Sequence, residues 1–201
     1  MARVAAEVLG AHPRPQVLVG GLGMGFTLRA ALDAFGPGAS VTVAELLPCI
    51  IGYSRGVLGH LAQHPLRDRR VRVFEGDVRT QSIENRWDVM LMDVDNGPDA
   101  FTTASNASLY TTRSVEQFRR ALRPNGVLVA WSAYASPRFE AKLRSTGMRC
   151  EVRRVKARGD IRKGSTHFLY VAQAPGRASG AEPGPKRQRK RVDGPPRTRR
   201  S

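Results

Sequence analysis

Val17-Leu18-Val19-Gly20-Gly21-Leu22-Gly23-Met24-Gly25 runs from an apolar, strand-like stretch through a cluster of glycines and straight into the amphipathic segment 25–35. A strand, a glycine turn and a helix in immediate succession make up the first half of a βα unit. Without side chains the turn lets a ligand reach the backbone, and the N–H groups of the helix terminus point at it. The same alternation of short β-branched runs and helix-length amphipathic stretches continues outward from this segment as far as Trp131. It predicts strands at 16–19, 40–45, 71–75, 87–93 and 126–132, with helices at about 25–35, 48–61 and 114–122, which together form consecutive βα units around a parallel sheet. Ser136-Pro137 places a capping hydroxyl before a proline suited to the first helical position, so a further helix is expected to about residue 145. Segments 148–155 and 166–172 flank the charged Arg158-Gly159-Asp160 stretch with no helix between them, and they are expected to pair antiparallel at the sheet edge. The fold class is therefore α/β and Rossmann-like: a mostly parallel seven-stranded sheet, helices on both faces, and a C-terminal antiparallel hairpin.

The chain of 201 residues is long enough for one self-stabilising core and a tail. Its net charge is +16, and the last 28 residues hold nine of the basic side chains against Glu182 and Asp193. That stretch is rich in Pro, Gly and Arg and nearly free of apolar residues, so it cannot offset the entropy of ordering. The expected organisation is a domain over 1–173 followed by a disordered basic tail over 174–201. The apolar runs 17–19, 89–92 and 127–131 are far too short to span a membrane. The start of the chain carries Glu7 and no long apolar run, so a secretory signal is not expected and the default address is the cytoplasm. Cys49 and Cys150 have no paired spacing, which argues against a disulfide framework or a zinc ribbon; both are expected to be inert core thiols.

Two acids stand at the ends of the next two strands. Glu45 ends its strand 24 residues after Gly21, where a carboxylate can accept both hydroxyls of a ribose. Asp77 follows the third strand in Phe74-Glu75-Gly76-Asp77-Val78, from which it can accept the exocyclic amine of an adenine. The glycine spacing departs from the dinucleotide fingerprint, which wants glycine where this chain has Phe26, and suits an S-adenosylmethionine loop better. Glycine loop, Glu45 and Asp77 fall on the carboxyl edge of the sheet, where open α/β folds bind ligands.

Trp87-Asp88-Val89-Met90-Leu91-Met92-Asp93-Val94-Asp95-Asn96-Gly97-Pro98 resembles the fourth-strand motif of the spermidine synthase family. The Gly-Gly-x-Gly loop, the Glu45 strand, the segment 71–77, Leu109-Tyr110 and Leu122-Arg123-Pro124-Asn125-Gly126-Val127-Leu128 resemble it as well, over roughly 15–133. The resemblance implies a class I methyltransferase fold and transfer of an aminopropyl group from decarboxylated S-adenosylmethionine to a polyamine, with no metal. It implies that Gly20, Gly21, Gly23, Gly25, Glu45, Asp77 and Val78 hold the nucleoside, that Asp93 is the catalytic carboxylate facing the acceptor amine, and that Asp95, Tyr110 and Trp131 lie toward the acceptor. The chain departs from the family at Met24, where the family carries an aspartate that recognises the aminopropyl ammonium, and at Trp131, where it tends to have glutamine. Only about fifteen residues precede the first strand, so the family's N-terminal β-domain is expected to be absent.

His60 and His64 stand one helical turn apart, but Leu61 replaces the glutamate of a zinc-protease motif, so solvent-facing helix histidines are expected. The basic run within 149–163 reads as a solvated hairpin face. Three functions remain open: the aminopropyl transferase, a methyltransferase using intact S-adenosylmethionine, and a non-catalytic protein whose basic tail binds nucleic acid. The partner expectations are a polyamine or other amine acceptor, weak nucleic-acid contact through the tail, no membrane, and a homodimer.

Overall fold

The computed structural model describes residues 1–94, 108–156 and 165–176. Seven strands, β1 Gln16–Gly20, β2 Ser40–Glu45, β3 Val71–Glu75, β4 Trp87–Met92, β5 Leu122–Ser132, β6 Arg149–Lys156 and β7 Thr166–Gln173, form one sheet in the order β3-β2-β1-β4-β5-β7-β6. The first five pair in parallel, and β7 is antiparallel to both β5 and β6. The expected Rossmann-like α/β class is thus the observed one. The order reverses direction between β1 and β4, and open sheets bind ligands at such a switch point, outside the carboxyl ends of the strands.

Alternation along the strands sorts the core onto two faces. Val17, Val19, Val41, Val43, Val89, Leu91, Val127 and Val129 pack with helices α1 Ala2–Leu9 and α2 Phe26–Ala34. Leu18, Met90, Met92, Leu128 and Ala130 pack on the other side with the helices at Thr112–Ala121 (α4) and Pro137–Ser145 (α5). Because all six residues of β4 are buried, it reads as a continuous apolar run broken only by Asp88. That buried acid is satisfied by Gln16 N–H at 2.7 Å and by Arg123 Nη1 at 2.8 Å, with His12 Nε2 at 3.6 Å.

Three local expectations are corrected. The helix expected over 48–61 is α3 Pro48–Arg55, and it ends where the Gly56 N–H closes on Gly52 and Tyr53 carbonyls; two 3-10 turns, Gly59–Ala62 and Pro65–Arg67, follow. His60 and His64 therefore do not share a helix face: His60 is exposed, while His64 sits in left-handed backbone with Nδ1 buried and unpartnered among the described residues. Cys49, expected in the core, is exposed near the start of α3; Cys150 is buried, and burial pushes its thiol up to about 11. Helix α1 had no equivalent among the expected elements; its Ala2 and Ala5 lie buried against the sheet.

Arg70, one residue before β3, closes the C-terminal end of α2. Its Nη1 donates to the carbonyls of Leu32 at 3.0 Å and Phe35 at 2.9 Å, while Nε and Nη2 grip Asp68 at 3.0 and 2.7 Å. Arg70→Ala is expected to cost about 1–3 kcal/mol, read by denaturant unfolding, because the carbonyls lose their donor and Asp68 its partner. The Arg70 guanidinium holds the Asp68 carboxyl well below the usual range, to about 2. A depressed carboxylate pKa stabilises the fold above the unfolded-state value, so this contribution is complete near neutral pH. It declines as pH falls below the ordinary 3.8 and is gone below about 2. An acid titration of stability should show that decline in the parent chain and a smaller one in Arg70→Ala.

The stretch around Arg158-Gly159-Asp160, Asp95 and residues 177–201 of the basic tail lie outside the described residues. Before that point Ala174 is still buried, with its N–H donating to Gly126 O at 2.9 Å. No helix among the described residues is long and apolar enough to cross a membrane.

Candidate active site

The glycine turn leaves β1 at the switch point and is held there by its neighbours. Asp93 N–H donates to Gly20 O at 2.9 Å, and Gly21 N–H donates to Ala44 O at 2.9 Å. Gly20 sits above Val78 and Met92, whose side-chain atoms would lie 3.1 Å from any Cβ placed on it. Gly21 has φ +87°, and a Cβ there would come 2.4 Å from the Asp93 carbonyl oxygen, so position 21 requires glycine twice over. Gly25, also at positive φ, is the N-cap of α2 and packs against Pro65 of the second 3-10 turn. Gly23 faces open space: a Cβ there would meet nothing within 4 Å. The turn therefore has a filled underside and a bare upper surface.

Glu45 fastens this turn to the start of α3. One carboxylate oxygen accepts Leu22 N–H at 2.8 Å and the other accepts Leu47 N–H at 2.9 Å, which satisfies a side chain only 8% exposed. A carboxylate has about four acceptor directions, so two remain for the vicinal hydroxyls of a ribose. Met24 on the turn, Phe26 at the start of α2, and Leu46 and Leu47 just after β2 are each more than half exposed.

Asp77 follows β3 as expected, but Arg79 engages its carboxylate. It caps the short 3-10 turn Val78–Gln81 by accepting Arg79 N–H at 2.8 Å, and it binds Nε at 2.8 Å and Nη2 of the same guanidinium. The guanidinium holds the Asp77 carboxyl below the usual range and itself reaches Ser108 Oγ at 2.8 Å. An adenine amine at this position would share Asp77 with Arg79. Arg79 was not a candidate from sequence, although a basic residue two positions after an N-cap acid is a visible pattern.

Asp93 leaves β4 directly beside Gly20 and Gly21. Its Oδ2 accepts the hydroxyl of Thr27, in the first turn of α2, at 2.5 Å; among the described residues Oδ1 accepts nothing. Its charge also reaches the amino group of Met1, whose pKa burial lowers and the carboxylate raises. Val94 follows, and its carbonyl accepts the Tyr110 hydroxyl at 3.2 Å. Tyr110 itself is 4% exposed, with its ring edge-on to Phe139 at 5.2 Å and its carbonyl bound by Lys142 Nζ at 2.8 Å. The structure thus puts Tyr110 in the core, where it supports the exit of β4. Trp131 is half-buried, one residue past Ala130, the register partner of Met92, and its ring stacks near His167 at 5.0 Å. Among the described residues no group of three or more His, Cys, Asp or Glu side chains could hold a metal ion.

No protein-family model matches the chain, and no curated protein matches it. Solved structures do. The chain is similar to the spermidine synthase of Thermotoga maritima (TM-score 0.60, 18% identity, 85% of this chain and 59% of that one). It is similar to a spermidine synthase in complex with the transition-state analogue AdoDATO (TM-score 0.61, 19% identity, 85% and 57%). It is equally similar to human methyltransferase-like protein 13 in complex with SAH (TM-score 0.62, 18% identity, 92% and 84%). The chain therefore spans less than two thirds of the length of those spermidine synthases, and most of the length of the methyltransferase. At these identities the likenesses show the fold, a methyltransferase-like α/β fold common to those structures.

Proposed function

We propose that the protein is a transferase that holds an S-adenosylmethionine-type donor over Gly21, Gly23 and Glu45 and directs its alkyl group onto an amine facing Asp93. The observation that carries this reading is the junction of β1 and β4, where the Asp93 amide bonds Gly20 O at the base of a bare glycine turn while its carboxylate, held through Oδ2 by Thr27, has an Oδ1 that accepts nothing among the described residues. The residues fit such a donor: Gly23 leaves the upper surface of the turn clear, and Glu45 keeps acceptor capacity for a ribose.

A sulfonium donor supplies an activated carbon and a good leaving group. Asp93 Oδ1 accepts an N–H of the neutral acceptor amine, which aims the nitrogen lone pair at the activated carbon. It takes up the proton as the new N–C bond forms, while the C–S electron pair leaves with sulfur.

The aminopropyl group of decarboxylated S-adenosylmethionine is the group transferred on the first reading, with a polyamine as acceptor. One observation favours methyl transfer from the intact donor instead. Met24, 54% exposed on the turn, offers no charge to an aminopropyl ammonium. Incubation with each donor and a set of aliphatic amines, read by mass spectrometry, separates the two. An acceptor gaining an aminopropyl unit supports the first reading, one gaining a methyl group supports the second, and no modified amine with either donor overturns both.

A further inference from the structure

Resting on that reading, we propose that Thr27 is a positioning residue for the transfer step: its hydroxyl clamps Asp93 Oδ2 so that Oδ1 is presented to the acceptor nitrogen. A threonine in the first turn of a helix ordinarily turns its hydroxyl to its own backbone, as a cap or a local turn bond. Helix α2 has an N-cap glycine with no side chain to offer, yet the described hydrogen bond of Thr27 leaves the helix. It crosses 66 positions of sequence to Asp93 at 2.5 Å, the length of a charge-assisted O–H···O⁻ bond.

The bond completes a three-point attachment. The Asp93 amide is held by Gly20 O, its carbonyl lies in the space that Gly21 leaves by having no Cβ, and its carboxylate is held through Oδ2. A carboxylate fixed only at its backbone can rotate and exchange its two oxygens, and the amine it must orient would lose its aim. With Oδ2 committed to Thr27, the carboxylate plane is set before the acceptor arrives, which is worth rate rather than affinity. Thr27 and Asp93 are both partly buried, so water competes incompletely for the bond.

The alternative is a stitch that merely joins α2 to the end of β4, and the two differ in what they move. Thr27→Val keeps the shape and removes the hydroxyl; Thr27→Ser keeps the hydroxyl. In the full chain, with the donor that the parent protein uses and a short aliphatic diamine, Thr27→Val is expected to lower kcat by about 10- to 100-fold. Donor KM should stay near the parent value and the thermal midpoint should fall by only the few degrees that loss of one hydrogen bond to a charged group costs, and Thr27→Ser should recover most of the lost kcat. Unchanged kcat in Thr27→Val, or a loss that tracks donor KM and melting and that Thr27→Ser fails to recover, overturns the proposal. The ¹³C resonance of the Asp93 carboxyl at neutral pH reads the same clamp without turnover. It should move in Thr27→Val and return in Thr27→Ser, and an unmoved resonance overturns the clamp even if the parent chain transfers nothing, a result that by itself would sink only the functional reading.

Discussion

Asp93→Asn is expected to lower kcat by about 10²–10⁴-fold while leaving donor affinity within a small factor of the parent value. The amide keeps the size and planarity of the carboxylate, and the Thr27 hydroxyl can still donate to its oxygen, so the turn beneath Gly21 stays in place. What it loses is the ability to take a proton from the attacking amine at Oδ1. Steady-state kinetics paired with donor titration measures both quantities. A variant that retains parent turnover would remove Asp93 from the chemistry and leave it a structural acid at the end of β4.

Gly21→Ala is expected to be severely destabilising. The new Cβ would stand 2.4 Å from the Asp93 carbonyl oxygen, and the backbone at φ +87° is itself strained for any L side chain. Neither partner can move cheaply, because the Gly21 N–H is tied to Ala44 and the Asp93 N–H to Gly20. The cost should exceed about 4 kcal/mol, a fall of roughly 10 °C or more in Tm for a domain of this size. Gly23→Ala is the control, since its φ of +48° carries the same kind of strain but its Cβ would meet nothing within 4 Å. It should cost about 1–2 kcal/mol. Thermal melts of the two variants compare them directly; similar losses would mean that the close approach of the turn to Asp93 is not what position 21 protects.

Much of this architecture was legible because the central parallel strands β1, β2 and β4 are buried on both faces and so read as short apolar runs with abrupt polar ends, while the edge strand β3 is only partly buried. Ser40–Glu45 and Val71–Glu75 are bounded as the sequence suggested, and the edge hairpin pairs as its missing crossover required. The position of Glu45 and Asp93 at strand ends followed from the same pattern. Less was legible where contacts between distant segments decide the outcome. Helix α3 stops early because the Gly56 N–H closes the last turn, which a count of helix-forming residues through 48–61 does not register. The exposure of Cys49 follows from that helix's orientation, not from the cysteine's usual preference for the core. Arg79 on Asp77 and Thr27 on Asp93 are side-chain choices that only the folded geometry makes, and α1 owes its packing to a sheet face that the sequence could not assign to it.

Calorimetric titration of the full chain with S-adenosylmethionine and, separately, with its decarboxylated form, repeated on Glu45→Ala, tests the proposed donor site most directly. Glu45 joins the glycine turn to α3 through Leu22 and Leu47 and retains two acceptor positions for a ribose. Its loss should therefore weaken donor binding by at least about tenfold, the worth of one or more hydrogen bonds to a charged group. Saturable binding of at least one donor is expected, with its collapse in Glu45→Ala; which of the two binds tighter separates aminopropyl from methyl transfer. Absence of binding by either donor, or binding that Glu45→Ala leaves intact, would contradict the site.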